Sequence, residues 1–303
     1  TNAALVMRYE PMSLIAKLGR LPSKLEGIAR LEAHIHEVWA NQDRLLRAAD
    51  ETKINQGMLW ARLCEGFDAT RLSDYEFRVF SQWGEDGIIQ FLVREVEIAH
   101  RTFIELGVED FRESNCRFLM NANNWRGFVI DGSQTRVDRI RSLPELWKYD
   151  LRARCHFITA ENINEILAES GFEKDLGVLS IDIDGVDYHV LAAIEGYRPR
   201  ILICEINPAF GEQRAITVPY DPSFDRWDEH YSALYFGASL RAMEELANAK
   251  GYRLVGVTRS GVNAFFVRDD LMTERLNRLA GNIGELSYHY TDTRDRDLSL
   301  IHI

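Results

Sequence analysis

Leu179-Ser180-Ile181-Asp182-Ile183-Asp184-Gly185-Val186-Asp187, followed downstream by Ile201-Leu202-Ile203-Cys204-Glu205-Ile206-Asn207-Pro208, decides how the rest of the chain is read. Both are short apolar runs of the kind that form buried strands, and each ends in oxygen-bearing side chains. Alternate side chains of a strand share a face, so Asp182 falls with Asp184 and Glu205 with Asn207. As parallel neighbours the two strands would gather all four groups on the carboxyl rim of the sheet, where open α/β sheets bind ligands.

Outward from these strands, strand and helix signals alternate from about residue 75, which predicts βαβ units. Strands are expected near 102–106, 127–131, 155–158, 178–183, 201–206, 252–258 and 263–268. Helices are expected near 84–97, 114–123, 134–142, 161–170, 187–196 and 237–250. Gly251 suits the left-handed position that ends a helix, and Arg259-Ser260-Gly261 reads as the turn of a closing antiparallel hairpin. The predicted fold is α/β: a Rossmann-like, seven-stranded, mostly parallel sheet with an antiparallel last strand, plus an N-terminal helical segment.

The expected organisation is a helical segment over 1–75, a catalytic domain over 76–285 with an insertion at 208–236, and a polar tail over 286–303. In the first segment Ile28, Leu31, Ile35, Val38, Gln42 and Leu45 follow alternating steps of three and four, a coiled-coil-like seam. It reads either as an oligomerisation arm making a homo-oligomer or as a helix packed on its own domain. The insertion is too long for an ordinary connection and holds Tyr220, Phe224, Trp227, His230, Tyr231 and Tyr235. It reads as a lid or substrate wall, or as a packed subdomain.

Composition sets the bounds. The 303 residues, 46% of them hydrophobic, suffice for a full core plus an accessory segment. A net charge of −11 argues against nucleic-acid binding by broad phosphate neutralisation. The four widely spaced cysteines show no zinc spacing and suit a reducing compartment. No apolar run is long enough for a membrane span, and no signal-peptide pattern opens the chain, so a cytoplasmic location is expected.

A second strand, Phe103-Ile104-Glu105-Leu106-Gly107, ends in acid-X-Gly and precedes Ser114-Asn115 at a helix start. Gly107 would allow close backbone approach to a ligand, and the helix start offers free N–H groups. The loop lacks G-x-G-x-x-G, which weakens a dinucleotide reading. The next strand ends at Asp131, where a carboxylate suits a ribose diol.

These segments, with Ser81-Gln82-Trp83-Gly84-Glu85-Asp86, Val129-Ile130-Asp131 and Ile181-Asp182-Ile183-Asp184-Gly185, resemble the class I S-adenosylmethionine-dependent methyltransferases, and within them the FkbM-like group. The resemblance covers roughly residues 78–268 and rests more on order and spacing than on any one motif. Its departures are Val-Glu-Asp-Phe after Gly107, where a second close glycine is usual, and Asp184-Gly185 in place of Glu-Gly. It implies S-adenosyl-L-methionine as cofactor, with Glu105 and Gly107 by the methionine part, Asp131 on the ribose, Gln82 nearby, Glu161 and Asn162 by the adenine, and Asp182 also among the cofactor-binding residues. It further implies a hydroxyl acceptor on a sugar, glycan or other small polyol.

Asp182, Asp184, Glu205 and Asn207 are hard oxygen ligands suited to Mg²⁺ or another divalent cation. The plainer alternative has the aspartates touching cofactor and capping a helix while Glu205 bonds within the sheet. Asp182, His189 and His230 are the candidate catalytic groups, since a neutral imidazole can accept a hydroxyl proton; each histidine could equally be a packed residue. A nicotinamide oxidoreductase and a non-catalytic oligomeric scaffold stand as competing functions.

Overall fold

The computed structural model describes residues 21–283. Of these, 21–53 belong to one compact unit and 54–283 to a second. Helix α1 runs over Leu21–Leu63. In the first unit its described seam residues, Leu31, Ile35, Val38 and Leu45, are all exposed, as are Trp39 and Leu46 beside them. Residues 1–20 and the tail 286–303 lie outside the described residues, as does the side chain of Ile28.

The second unit is built on seven strands: β1 Thr102–Leu106, β2 Arg126–Asp131, β3 Leu151–Cys155, β4 Val178–Ile181, β5 Ile201–Glu205, β6 Tyr252–Val257 and β7 Asn263–Arg268. Their order is β3-β2-β1-β4-β5-β7-β6, with β7 antiparallel to both of its neighbours and the other pairs parallel. This is the predicted seven-stranded layout with its reversed last strand. The helices are α2 Glu85–Glu95, α3 Arg117–Asn123, α4 Gln134–Arg141, α5 Ile163–Glu169, α6 Asp187–Ala193, α7 Arg226–Glu229, α8 Leu240–Ala249 and α9 Glu274–Ala280.

Period-two alternation explains the layers. In β1, Ile104 and Leu106 join a core with Ile166 of α5, Val190 of α6 and Met243 of α8. Phe103, one residue away, joins the opposite core with Ile88 of α2, Met120 of α3, Val137 of α4 and Leu276 of α9. Both faces are thus covered, which is why β1, β4, β5 and β7 are buried along their whole length. Ser239 caps α8 by accepting from the Ala242 amide at 3.2 Å, and Gly251 follows that helix at φ 84°, as its sequence position predicts.

The third strand departs from expectation. It lies at Leu151–Cys155, not at 155–158, and pairs with β2 in the register Gly127↔Leu151 to Asp131↔Cys155. The arginines of Leu-Arg-Ala-Arg-Cys masked it. At this sheet edge the Arg152 guanidinium lies over the Phe128 and Phe172 rings, so a charged side chain occupies a strand position at little cost. The apolar Phe157-Ile158 pair follows the strand and lies in the loop beyond it.

The candidate active-site cavity

The order of strands reverses between β1 and β4, since β2 lies on the far side of β1. Just outside their carboxyl ends lies a cavity of about 580 Å³, within the usual range for a small-molecule site. Gln82, Glu105, Gly107, Asp131, Asp182, Asp184 and Glu205 all line it, and the structure therefore brings seven of the residues singled out from sequence into one place.

Each is held by identifiable contacts. Asp131, at the end of β2, accepts the Ser133 amide at 2.8 Å, while Arg136 approaches its other oxygen at 3.6 Å. Glu105 is buried and accepts from Ser114 Oγ at 2.6 Å and from the amides of Asn115 and Cys116 at 2.7 and 3.2 Å. Its carboxylate thus secures the loop before α3, which is why that helix starts later than the pattern suggests. Burial nevertheless pushes its pKa up to about 7, against those hydrogen bonds.

Gly107 has a different reason from the one its motif suggests. At φ 82°, a Cβ there would lie 1.7 Å from the Asp182 carbonyl oxygen, so the close approach is to the protein's own backbone. The same contact, with the Asp182 amide donating to Leu106 O at 3.0 Å, carries β4 past the end of β1. Asp187 then shapes the loop: its carboxylate accepts from the amides of Ile183 at 2.8 Å and Gly185 at 3.1 Å. Asp184, between them, is held at φ 56°, a left-handed conformation uncommon for a residue with a side chain.

Carboxylate oxygens of Asp182, Asp184 and Glu205 all lie within 4.8 Å of one another. Burial raises the pKa of Asp182 and of Glu205 well above the ordinary carboxylate range, and the neighbouring acids add to it. Arg226 of α7 pairs with Asp184, donates from Nε to Ala233 O at 2.9 Å, and lies 4.1 Å from the centre of the Phe236 ring. Seven acidic side chains line the cavity against two arginines, Arg136 and Arg226; burial inclines Glu105, Asp182 and Glu205 to hold their protons, and the other four still outnumber the arginines, a balance that favours a cationic ligand.

Other sequence candidates lie elsewhere. Asn207 turns away from the acidic trio: its Nδ2 donates to Leu234 O and Phe236 O at 2.8 and 2.9 Å, and its Oδ1 accepts from the Ala209 amide. His189 Nε2 lies 2.9 Å from Val218 O, a geometry that requires the ring to donate there and leaves no free lone pair on that nitrogen. His230 Nδ1 contacts Ser232 Oγ at 2.7 Å, and its ring lies against Tyr231. Neither histidine lines the cavity. Glu161 binds the Tyr220 hydroxyl, and Asn162 closes a turn by accepting the Thr159 amide and donating to Phe157 O. His156, Phe157 and Ile158 stand at the cavity in their place.

Several residues that build the site had no individual role assigned from sequence, Phe224 only as one of the aromatics of the insertion. Asp86 is fully buried and accepts from the amides of Val79, Phe80 and Ser81 and from Ser81 Oγ, all at 2.7 to 2.8 Å. It fixes the turn that presents Gln82. From the insertion, Phe224 packs over Gly185, where a Cβ would lie 2.8 Å from its ring. The insertion therefore contributes both core, through Val218 and Phe236, and cavity wall, through Phe224 and Arg226. Asn263, directly across the β5–β7 ladder from Glu205, completes that wall. The acid spacing of Asp182, Asp184 and Asp187 was the available signal for Asp187; nothing local marked Arg226 or Asn263.

No protein-family model matches this chain, and no curated protein matches it. Among solved structures, a S-adenosylmethionine-dependent methyltransferase from Clostridium acetobutylicum ATCC 824 is similar at 9% identity and a TM-score of 0.40, over 68% of this chain and 94% of that one. An O-methyltransferase from Bacillus cereus, in complex with SAH, is similar at 14% identity and a TM-score of 0.38, over 71% and 89%. An O-methyltransferase family protein from Burkholderia thailandensis is similar at 13% identity and a TM-score of 0.36, over 61% of this chain but only 57% of its own length. These likenesses are too distant to assign an activity. No helix among the described residues is long and apolar enough to cross a membrane.

Proposed function

We propose that this chain is an S-adenosylmethionine-dependent methyltransferase that methylates a hydroxyl oxygen of a sugar, glycan or other small polyol. The observation that carries the reading is the convergence of Gly107, Asp131 and Asp184, from three strand ends, on one acidic cavity. The lining suits the cofactor: Asp131 offers carboxylate oxygens to a ribose diol, the Phe157 ring offers an apolar face to adenine, and the excess of carboxylates matches a sulfonium.

Bound S-adenosylmethionine supplies a methyl group on a positively charged sulfur, an electrophile that needs no covalent help. The protein's tasks are alignment and removal of the hydroxyl proton. His189 and His230 lie outside the cavity, and the groups lining it that can take the proton are its carboxylates and the His156 imidazole. One of these groups would accept the proton that the hydroxyl loses on methylation.

The exposed seam of α1 suits a second copy of the same helix, because a three-and-four repeat matches itself. Six exposed apolar side chains over Leu31–Leu46, at roughly 100 Å² each, would bury about 1,200 Å² across a pair, the lower limit for a stable interface.

Calorimetric titration with S-adenosylhomocysteine tests the main reading. Binding should be lost or weakened at least about tenfold in Asp131→Ala, a change of roughly 1.4 kcal/mol, and be unaffected in Asp221→Ala. Asp221 is the control because its carboxylate serves only a local turn at Ser223. No binding to the unmodified chain at about 1 mM ligand would overturn the proposal.

A further inference from the structure

We infer that Asp182, Asp184 and Glu205 form a divalent-cation site, and that Arg226 is the internal counter-ion that a cation must displace. The role of such a cation in holding the acceptor oxygen rests on the methyl-transfer reading; the site itself does not.

The distances suit a cation. Ligand oxygens on opposite sides of Mg²⁺ lie about 4.2 Å apart and those around Ca²⁺ about 4.8 Å, from bond lengths of about 2.1 and 2.4 Å. The three carboxylates fall within 4.8 Å of one another, so one ion can reach all three with little movement. The donors are all oxygen, and the protein supplies fewer than six of them, leaving positions for water or a substrate hydroxyl.

Two buried oxygens, one of Glu205 itself and one of its neighbour Asn263, point to a ligand. Glu205 is 5% exposed, and its Oε2 has no hydrogen-bond donor. Asn263, directly opposite on β7, is 3% exposed; its Nδ2 donates to Glu85 Oε1 at 2.8 Å, which fixes the amide, and its Oδ1 has no donor. Buried acceptors are almost always satisfied, since leaving one unpaired is costly. Here a carboxylate and an amide oxygen from neighbouring strands, both lining the same cavity, are left open. A cation, directly or through its bound water, satisfies acceptors that no nearby side-chain donor serves.

Arg226 supplies one positive charge to three carboxylates and is itself held by Ala233 O and the Phe236 ring. It claims Asp184, the outermost of the three, while Asp182 and Glu205 keep oxygens facing each other. A divalent ion brings twice that charge and must compete with the guanidinium for Asp184. Removing the guanidinium therefore strengthens cation binding, whereas removing a ligand weakens it.

The test uses the full chain and Mn²⁺, counted by electron paramagnetic resonance, with Mg²⁺ and Ca²⁺ as competitors. One Mn²⁺ should bind per chain. Glu205→Gln should weaken binding at least about tenfold, and Arg226→Ala should tighten it about tenfold, as expected for a like charge a few ångströms away. Circular dichroism of both variants controls for folding, and Asp184→Asn provides a second ligand variant should Glu205→Gln not fold. No Mn²⁺ bound at about 1 mM would overturn the inference. So would equal affinity in Glu205→Gln, or affinity in Arg226→Ala no greater than in the unmodified chain. S-adenosylhomocysteine binding measured on the same samples separates the two readings. Nucleoside binding without Mn²⁺ removes only the cation site; Mn²⁺ binding without nucleoside removes only the methyltransferase.

Discussion

Gly107→Ala should cost far more stability than its chemistry suggests, and Gly251→Ala is its matched control. The two glycines have nearly the same backbone angle, φ 82° and 84°, so an added Cβ meets the same left-handed strain of roughly 1–2 kcal/mol at each. Around Gly251 nothing lies within 4 Å of that Cβ. At Gly107 it would sit 1.7 Å from the Asp182 carbonyl oxygen, whereas ordinary contact begins at 3.4 Å, so the strand ends must part by the difference, about 1.7 Å. That oxygen belongs to the backbone and cannot rotate aside. The separation stretches the bonds from the Asp182 amide to Leu106 O, now 3.0 Å, and from the Gly107 amide to Ile130 O, now 2.9 Å. Losing them costs roughly 1 kcal/mol each. Overpacking adds about 1–3 kcal/mol. Gly107→Ala should therefore be about 3–5 kcal/mol less stable than Gly251→Ala in urea titrations followed by tryptophan fluorescence, or about 6–20 °C lower in Tm for a domain of this size. It should also lose S-adenosylhomocysteine affinity, because Asp182 moves with its backbone. Stabilities of the two variants within about 1 kcal/mol of each other would refute the account of why residue 107 must be glycine.

The ligand-free protein should lose stability as the pH rises from about 5 to about 7.5. Burial raises the pKa of Asp86 to about 6 and that of Glu105 to about 7, above their ordinary values of 3.8 and 4.5. Across that range the unfolded chain has released protons that the folded chain still holds, so unfolding becomes easier with rising pH, by about 1.4 kcal/mol through Asp86 and about 2.4 kcal/mol through Glu105. Differential scanning fluorimetry across that range checks it; a Tm that climbs steadily from pH 5 to 7.5 would count against burial as the governing cause. Placing glutamates at Val38 and Leu45 should reduce the mass measured by light scattering to that of a single chain, because both exposed side chains lie on the α1 seam. An unmodified chain that is already a single copy at about 100 μM would remove the proposed pairing, whose small area predicts a modest affinity.

The strands that make the site were legible because fully buried parallel strands leave compact apolar runs with abrupt polar ends. Glu105, Asp131, Asp182, Asp184 and Glu205 were found in that way, by position relative to a strand end, and all line one cavity. The third strand was misplaced because Arg152 lies along aromatic rings and Arg154 pairs with Glu169 at a sheet edge, solutions invisible to a pattern that expects apolar residues. His189, His230 and Asn207 were chosen for what their side chains can do. Their actual partners, Val218 O, Ser232 Oγ and the carbonyls of Leu234 and Phe236, all lie in the insertion, two residues away for His230 and far along the chain for His189 and Asn207.

The sequence by itself determined the alternation of strand and helix, the reversed final hairpin and the acidic character of the rim, since these follow from local periodicity and residue type. Tertiary structure decided which acids face one another and what each polar group is bonded to. It brought Arg226 from the insertion to Asp184, set Asn263 opposite Glu205, and made residue 107 a glycine for the sake of a neighbouring carbonyl. Contacts between segments far apart in the chain leave no periodic trace, because each partner satisfies a geometric requirement that exists only once the sheet has formed.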